Sequence, residues 1–74
     1  MAQIPPLRPQ EVVRAFERFG RAVARRRGSH IILAKPGHIV TLSVPRHDRV
    51  ARGTLRSLIQ LADLTVDGFV TRLK

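Results

Sequence analysis

An α+β domain of the order α-β-β-β-α, with a three-stranded antiparallel sheet and helices on one face, is what this 74-residue sequence predicts. Three observations carry that expectation. Val12, Phe16 and Phe19 form an apolar stripe at helical spacing behind Pro9. Between Ala22 and Val44 the pattern changes to a two-residue period, broken by the turn signals "GS" and "KPG". Leu55, Leu58, Ile59 and Ala62 then return to helical spacing. The turns between successive strands are short, so an antiparallel meander is the economical connection.

Residues 1–8, "MAQIPPLR", read as a flexible Pro-rich lead-in, since Pro5 and Pro6 deny the segment a helix. Residues 9–74 then form a single domain. Pro9 suits a first helical position, and Gly20 is a natural stop. Arg14 and Arg18 fall opposite the apolar stripe, one turn apart. "RAVARRR" is a strand of low intrinsic quality. Strict alternation places Val23 with Arg21, Arg25 and Arg27, and Ala22, Ala24 and Arg26 on the other face. "HIILA" is a clearer strand, with Ile31 and Leu33 on one side and His30 and Ile32 on the other. In "HIVTLSV", Val40, Leu42 and Val44 alternate with Ile39, Thr41 and Ser43, and Pro45 ends the strand. "RHDRVAR" is a polar basic loop. "GTLRSLIQLADL" makes the second helix, and "VDGFVTRL", capped by Thr65, a short last one that buries Phe69, Val70 and Leu73. Gly68 weakens that last helix by roughly 1 kcal/mol relative to alanine.

Charge narrows the function. Fourteen basic residues, twelve of them arginine, stand against five acidic ones, for a net charge of +9. The planar guanidinium fork binds phosphate bidentately and keeps its charge in any environment, so a polyanion or an acidic protein is the natural partner. The three phenylalanines all occupy helix positions that a core needs, which leaves no platform for stacking bases. Contact with nucleic acid would therefore run through its backbone. There is no cysteine for a disulfide or a thiolate metal site. No apolar run approaches membrane-spanning length, and the lead-in lacks the apolar centre of a signal peptide. No membrane partner and a cytoplasmic location are the corresponding expectations.

Most enzyme chemistries lack their residues here. Glu11, Glu17, Asp48, Asp63 and Asp67 are scattered, with no pair spaced to hold two metal ions or to cleave a glycoside. His30, His38 and His47 show no tight ligand spacing, and the glycines form no phosphate-cradling loop, so neither a metal nor another cofactor is expected. One reaction needs little machinery: cleavage of RNA by its own 2′-hydroxyl. It requires a proton acceptor, a proton donor and positive charge around the phosphorane. "RRRGSH" places the imidazole of His30 behind Arg25, Arg26 and Arg27, which satisfies that list. A histidine at a strand start is also commonly incidental, and an arginine run is commonly a solvated patch. Residue chemistry alone leaves three readings open: a ribonuclease, a non-catalytic RNA-binding module, and a basic protein that serves only an acidic partner.

The succession "GSH" at 28–30, "VPRH" at 44–47 and "GTLRS" at 53–57 resembles the HicA (YcfA-like) family of bacterial mRNA interferase toxins. The likeness runs from about Glu11 to Leu73. It implies a double-stranded-RNA-binding-domain-like fold of the same α-β-β-β-α order. It also implies endoribonuclease activity on mRNA, with the histidine of "GSH", here His30, catalytic. A cognate HicB-type antitoxin that covers the active surface is the implied protein partner. On this reading Arg25, Arg26, Arg27, Lys35 and Arg46 hold the phosphate backbone, and Ser29 orients the imidazole or donates to a phosphate oxygen. His47 and Arg56 are further candidate RNA contacts. Two departures stand out: Ile31 occupies the place of a second histidine common in the family, and Arg21 that of an aromatic after the helix-ending glycine. Arg21 is expected to leave the first strand poorer in core.

Overall fold

The computed structural model describes residues 3–46 and 48–73. Its elements follow the expected order: α1 (Pro9–Glu17), β1 (Ala22–Arg27), β2 (His30–Lys35), β3 (His38–Pro45), α2 (Arg52–Leu61) and α3 (Val66–Thr71). The sheet is an antiparallel meander in the order β1-β2-β3. One face carries the helices and the other is open.

Local chemistry explains the element ends. Pro9 starts α1, and the Glu11 carboxylate accepts the Arg8 backbone N–H at 2.9 Å, satisfying a donor at the helix entrance. Gly20, at φ 89°, reverses the chain after α1, and the Arg21 N–H closes the end on the Phe16 carbonyl at 3.2 Å. At α3, the Thr65 side chain accepts from the Gly68 N–H at 3.0 Å, as its capping position requires.

The core lies between the sheet and the helices. Val12, Ala15 and Phe16 of α1, Ile31 and Leu33 of β2, and Leu42 and Val44 of β3 meet Leu55, Leu58 and Ile59 of α2. Phe69 of α3 reaches the same core, with its ring 4.9 Å from that of Phe16 and 6.3 Å from that of Phe19. Phe19, Val70 and Leu73 are only partly buried against it.

Three features depart from the sequence reading. A bulge between Val23 and Arg25 sets aside the strict alternation expected of the first strand. Val23 pairs with Leu33 and Arg26 with Ile31, so both share the helix-side face, while Arg25 and Arg27 pair with Ile32 and His30 on the open face. The first strand is poor in core as expected, with all six residues of β1 exposed, but Arg21 just ahead of it is itself buried. Its guanidinium donates to the Val40 carbonyl at 3.0 Å and contacts His38 Nδ1 at 3.1 Å, and desolvation lowers its pKa from the ordinary arginine value. Finally, the segment before α1 contributes to the core. Ile4 and Leu7 are 3% and 7% exposed, and Leu7 forms an antiparallel bridge with Val50.

Candidate functional site

His30 opens β2 directly after the two-residue turn Gly28–Ser29, where Gly28 adopts φ 58°. A tight reversal needs such a conformation, and glycine supplies it without a Cβ penalty. The hairpin pairs Arg27 with His30, and on the other side His30 pairs with Pro45 of β3. Side chains opposite one another in an antiparallel sheet project from the same face. The imidazole therefore stands on the open face in one row with Arg27, and Arg25 lies in the next row beside Ile32. His30, Arg25 and Arg27 are all exposed, while Ile31, the next residue on β2, turns into the core at 8% exposure. The position of a second histidine is thus used here for packing.

Backbone hydrogen bonding gathers further groups at this end of the sheet. The Arg46 N–H donates to the Ser29 carbonyl at 2.7 Å, which holds the start of the loop after β3 against the hairpin turn. Ser29 and Arg46 are both exposed there. Arg26 is also near but projects to the helix side, because it pairs with the buried Ile31.

On that helix side lies a groove of about 960 Å³. Its lining includes Arg8, Arg26, Arg46 and Arg49, with Asp48 the acidic member and Ile31 apolar. Arg8 and Arg49 had no place among the sequence candidates. They come together because the Val50 N–H donates to the Leu7 carbonyl at 2.8 Å, which sets residues 8 and 49 side by side. The only local sign of this pairing is the apolar Ile4 and Leu7 ahead of the helix.

Other sequence candidates lie elsewhere. Lys35 is at the opposite end of β2 from His30, a strand length of roughly 16 Å away at about 3.3 Å per residue. Its side chain runs close over Gly20. Arg56 is exposed on α2 and does not line the groove. His47 lies outside the described residues. His38, which opens β3, contacts Arg21. Guanidinium only donates, so Nδ1 of His38 accepts this bond and its ring proton sits on Nε2. Among the described residues no three histidine, cysteine or acidic side chains gather in a way that could hold a metal ion. No helix of the described residues is long and apolar enough to cross a membrane.

Comparison with known proteins agrees with the motif order. The family model described as "HicA toxin of bacterial toxin-antitoxin" matches residues 9–64, a span containing all three motifs and the whole sheet. No curated protein matches the chain. The family match implies an antitoxin as the protein's partner. A match that covers most of the sequence, over a domain of the order α-β-β-β-α-α, places this chain in the HicA toxin family of bacterial toxin–antitoxin systems.

Proposed function

We propose that this toxin is a metal-independent endoribonuclease that cleaves mRNA, with His30 performing proton transfer. The observation that carries the reading is the exposed imidazole in one cross-strand row with Arg27, on a sheet face no helix covers. A strand of RNA laid across that face brings a phosphate to the ring without any rearrangement of the core. His30 removes the 2′-hydroxyl proton as the 2′-oxygen bonds to phosphorus. The bond from phosphorus to the 5′-oxygen then breaks, and water supplies the proton this oxygen needs. The products are a 2′,3′-cyclic phosphate and a 5′-hydroxyl. Arg25 and Arg27 offset the charge that builds on the phosphorane oxygens, where preorganised cations act most strongly. The nucleophile is internal to the substrate, so no metal-activated water is required.

Around this centre Ser29 and Arg46 hold the backbone at the hairpin, Arg26 meets it only beyond the hairpin tip on the helix side, and the reading assigns Lys35, His47 and Arg56 only outlying contacts. The antitoxin partner is of the HicB type and covers the basic surface with acidic side chains. Work on mRNA puts the toxin in the cytoplasm.

The test is cleavage of a defined transcript by purified protein in the presence of a chelator. His30→Ala is expected to lower the rate by about 10²–10⁴-fold, the range for a positioned general base or acid, with an unchanged circular dichroism spectrum. Replacing the 2′-hydroxyl at the cleaved linkage by 2′-methoxy should block the wild-type protein completely. Cleavage of that substrate, or full activity of the His30→Ala protein, would refute the mechanism. RNA binding without cleavage by the wild type would reduce the protein to a binding module.

A further inference from the structure

The groove on the helix side of the sheet has no part in the proton transfer at His30, yet its chemistry is specific. Four arginines from three separate segments converge on it: Arg8 before α1, Arg26 on β1, and Arg46 and Arg49 in the loop after β3. A solvated charge run would instead spread its side chains over one element. Asp48 is the one acidic group in the lining, so the groove keeps a strong positive excess. Its volume of about 960 Å³ lies at the upper end of the roughly 300–1,000 Å³ typical of small-ligand sites. Pro9 and Ile31 add an apolar floor against which a sugar can rest.

Its place relative to His30 says what would fill it. Arg26 and Arg27 are neighbours on β1 that project to opposite faces, Arg27 beside His30 and Arg26 into the groove. Arg46, which lines the groove, is tied by its backbone to Ser29 in the hairpin turn. The cationic surface therefore continues from the open face around the tip of the β1–β2 hairpin to the helix side. A flexible polyanion can follow such a path.

We propose that the groove is a second phosphate-binding subsite, in which Arg8, Arg26, Arg46 and Arg49 hold the backbone of the same RNA strand to one side of the scissile bond. The proposal rests on the ribonuclease reading above and extends it to a surface of the protein outside the catalytic face. Arg8 lies one residue ahead of the family match at residues 9–64, so the subsite reaches just beyond the matched span.

The experiment measures binding of a single-stranded oligoribonucleotide of about a dozen nucleotides to the full-length chain across a series of salt concentrations. All binding arms carry His30→Ala so that the strand stays intact. Each phosphate contact to a single strand adds about 0.7 to the slope of log affinity against log salt. Arg8→Ala with Arg49→Ala should therefore lower that slope by about 1.4. Arg8→Gln with Arg49→Gln, which keeps side-chain length, should do the same and guards against a folding defect. Arg14→Ala, which removes a charge from a different cleft, should leave the slope nearly as it was. Equal slopes for the parent and both double variants would overturn the proposal. So would a loss of affinity confined to a polyglutamate peptide, since the groove would then fit an acidic protein surface instead. Cleavage by the protein with native His30 is assayed separately. If the groove variants lower the slope while that protein leaves RNA intact, the subsite stands and the catalytic reading falls.

Discussion

Arg21 shows how a cation that leaves its strand poor in core can still be built into the fold. The strand that follows it is exposed throughout, while Arg21 itself is 4% exposed and ties the end of α1 to β3. Its planar fork reaches the Val40 carbonyl and His38 Nδ1 together, a geometry a lysine ammonium cannot reproduce from one point. Burial lowers the pKa of the group, which is the mark of a cation that has given up water for these two acceptors. Removing it deletes both bonds and leaves a void. Arg21→Ala should lower stability by about 1.5–3 kcal/mol, the range for hydrogen bonds to a charged group, read as the shift in a urea midpoint. Arg21→Lys should recover only part of the loss. Full recovery by lysine would show that charge and volume matter there and the fork does not. A nitrogen-15 spectrum should find the proton of His38 on Nε2, moving when Arg21 is replaced.

At the scale of elements, most of the architecture was legible because its signals are local. The apolar stripe behind Pro9, the turns "GS" and "KPG", and the return of helical spacing after Gly53 mark α1, the strands and α2 to within a few residues. The face assignments of β2 followed for the same reason, and with them the exposure of His30. The bulge in β1 was not legible. Nothing in "RAVARRR" marks where pairing with β2 slips, yet that slip puts Arg25 and Arg27 beside His30 and sends Arg26 to the other side. The turn after α2 was also unmarked. Asp63 sits at φ 63°, and the Leu64 N–H closes the helix on the Ile59 carbonyl at 3.0 Å, a position that usually belongs to glycine. A residue with a Cβ pays roughly 1–2 kcal/mol in the left-handed region, less for aspartate, and a carboxylate at a helix C-terminus opposes the helix dipole. Glycine relieves both but loses more chain entropy on folding. Asp63→Gly should raise stability by about 0.5–1 kcal/mol net, and an unchanged or lower urea midpoint would show that the aspartate makes a compensating contact.

The molecule as a whole is two layers, a sheet and its helices, with principal extents of 33 × 29 × 19 Å. A chain of this length has little interior to spare, so each buried side chain carries a large share of the total. The family match stops short of the first eight residues, and their two prolines make them look dispensable. Burial argues otherwise: Ile4 and Leu7 belong to the core cluster, and the Leu7–Val50 bridge fastens the loop that carries Arg46 and Arg49. At about 1.5–3 kcal/mol for each fully buried aliphatic side chain, deleting residues 1–8 removes about 3–6 kcal/mol. Small domains hold only about 5–15 kcal/mol in all, so a chain starting at Pro9 should melt far below the full-length protein or be partly unfolded at room temperature. Leu7→Ala separates packing from the loss of Arg8 and should cost about 2–5 kcal/mol by itself. The same substitution loosens the pairing of residues 8 and 49, so RNA affinity should fall with stability even though no arginine is removed. A truncated chain that melts with the full-length protein would mean that the N-terminal segment only rests on the core. The groove would then have to be held by the loop after β3 without help from the bridge.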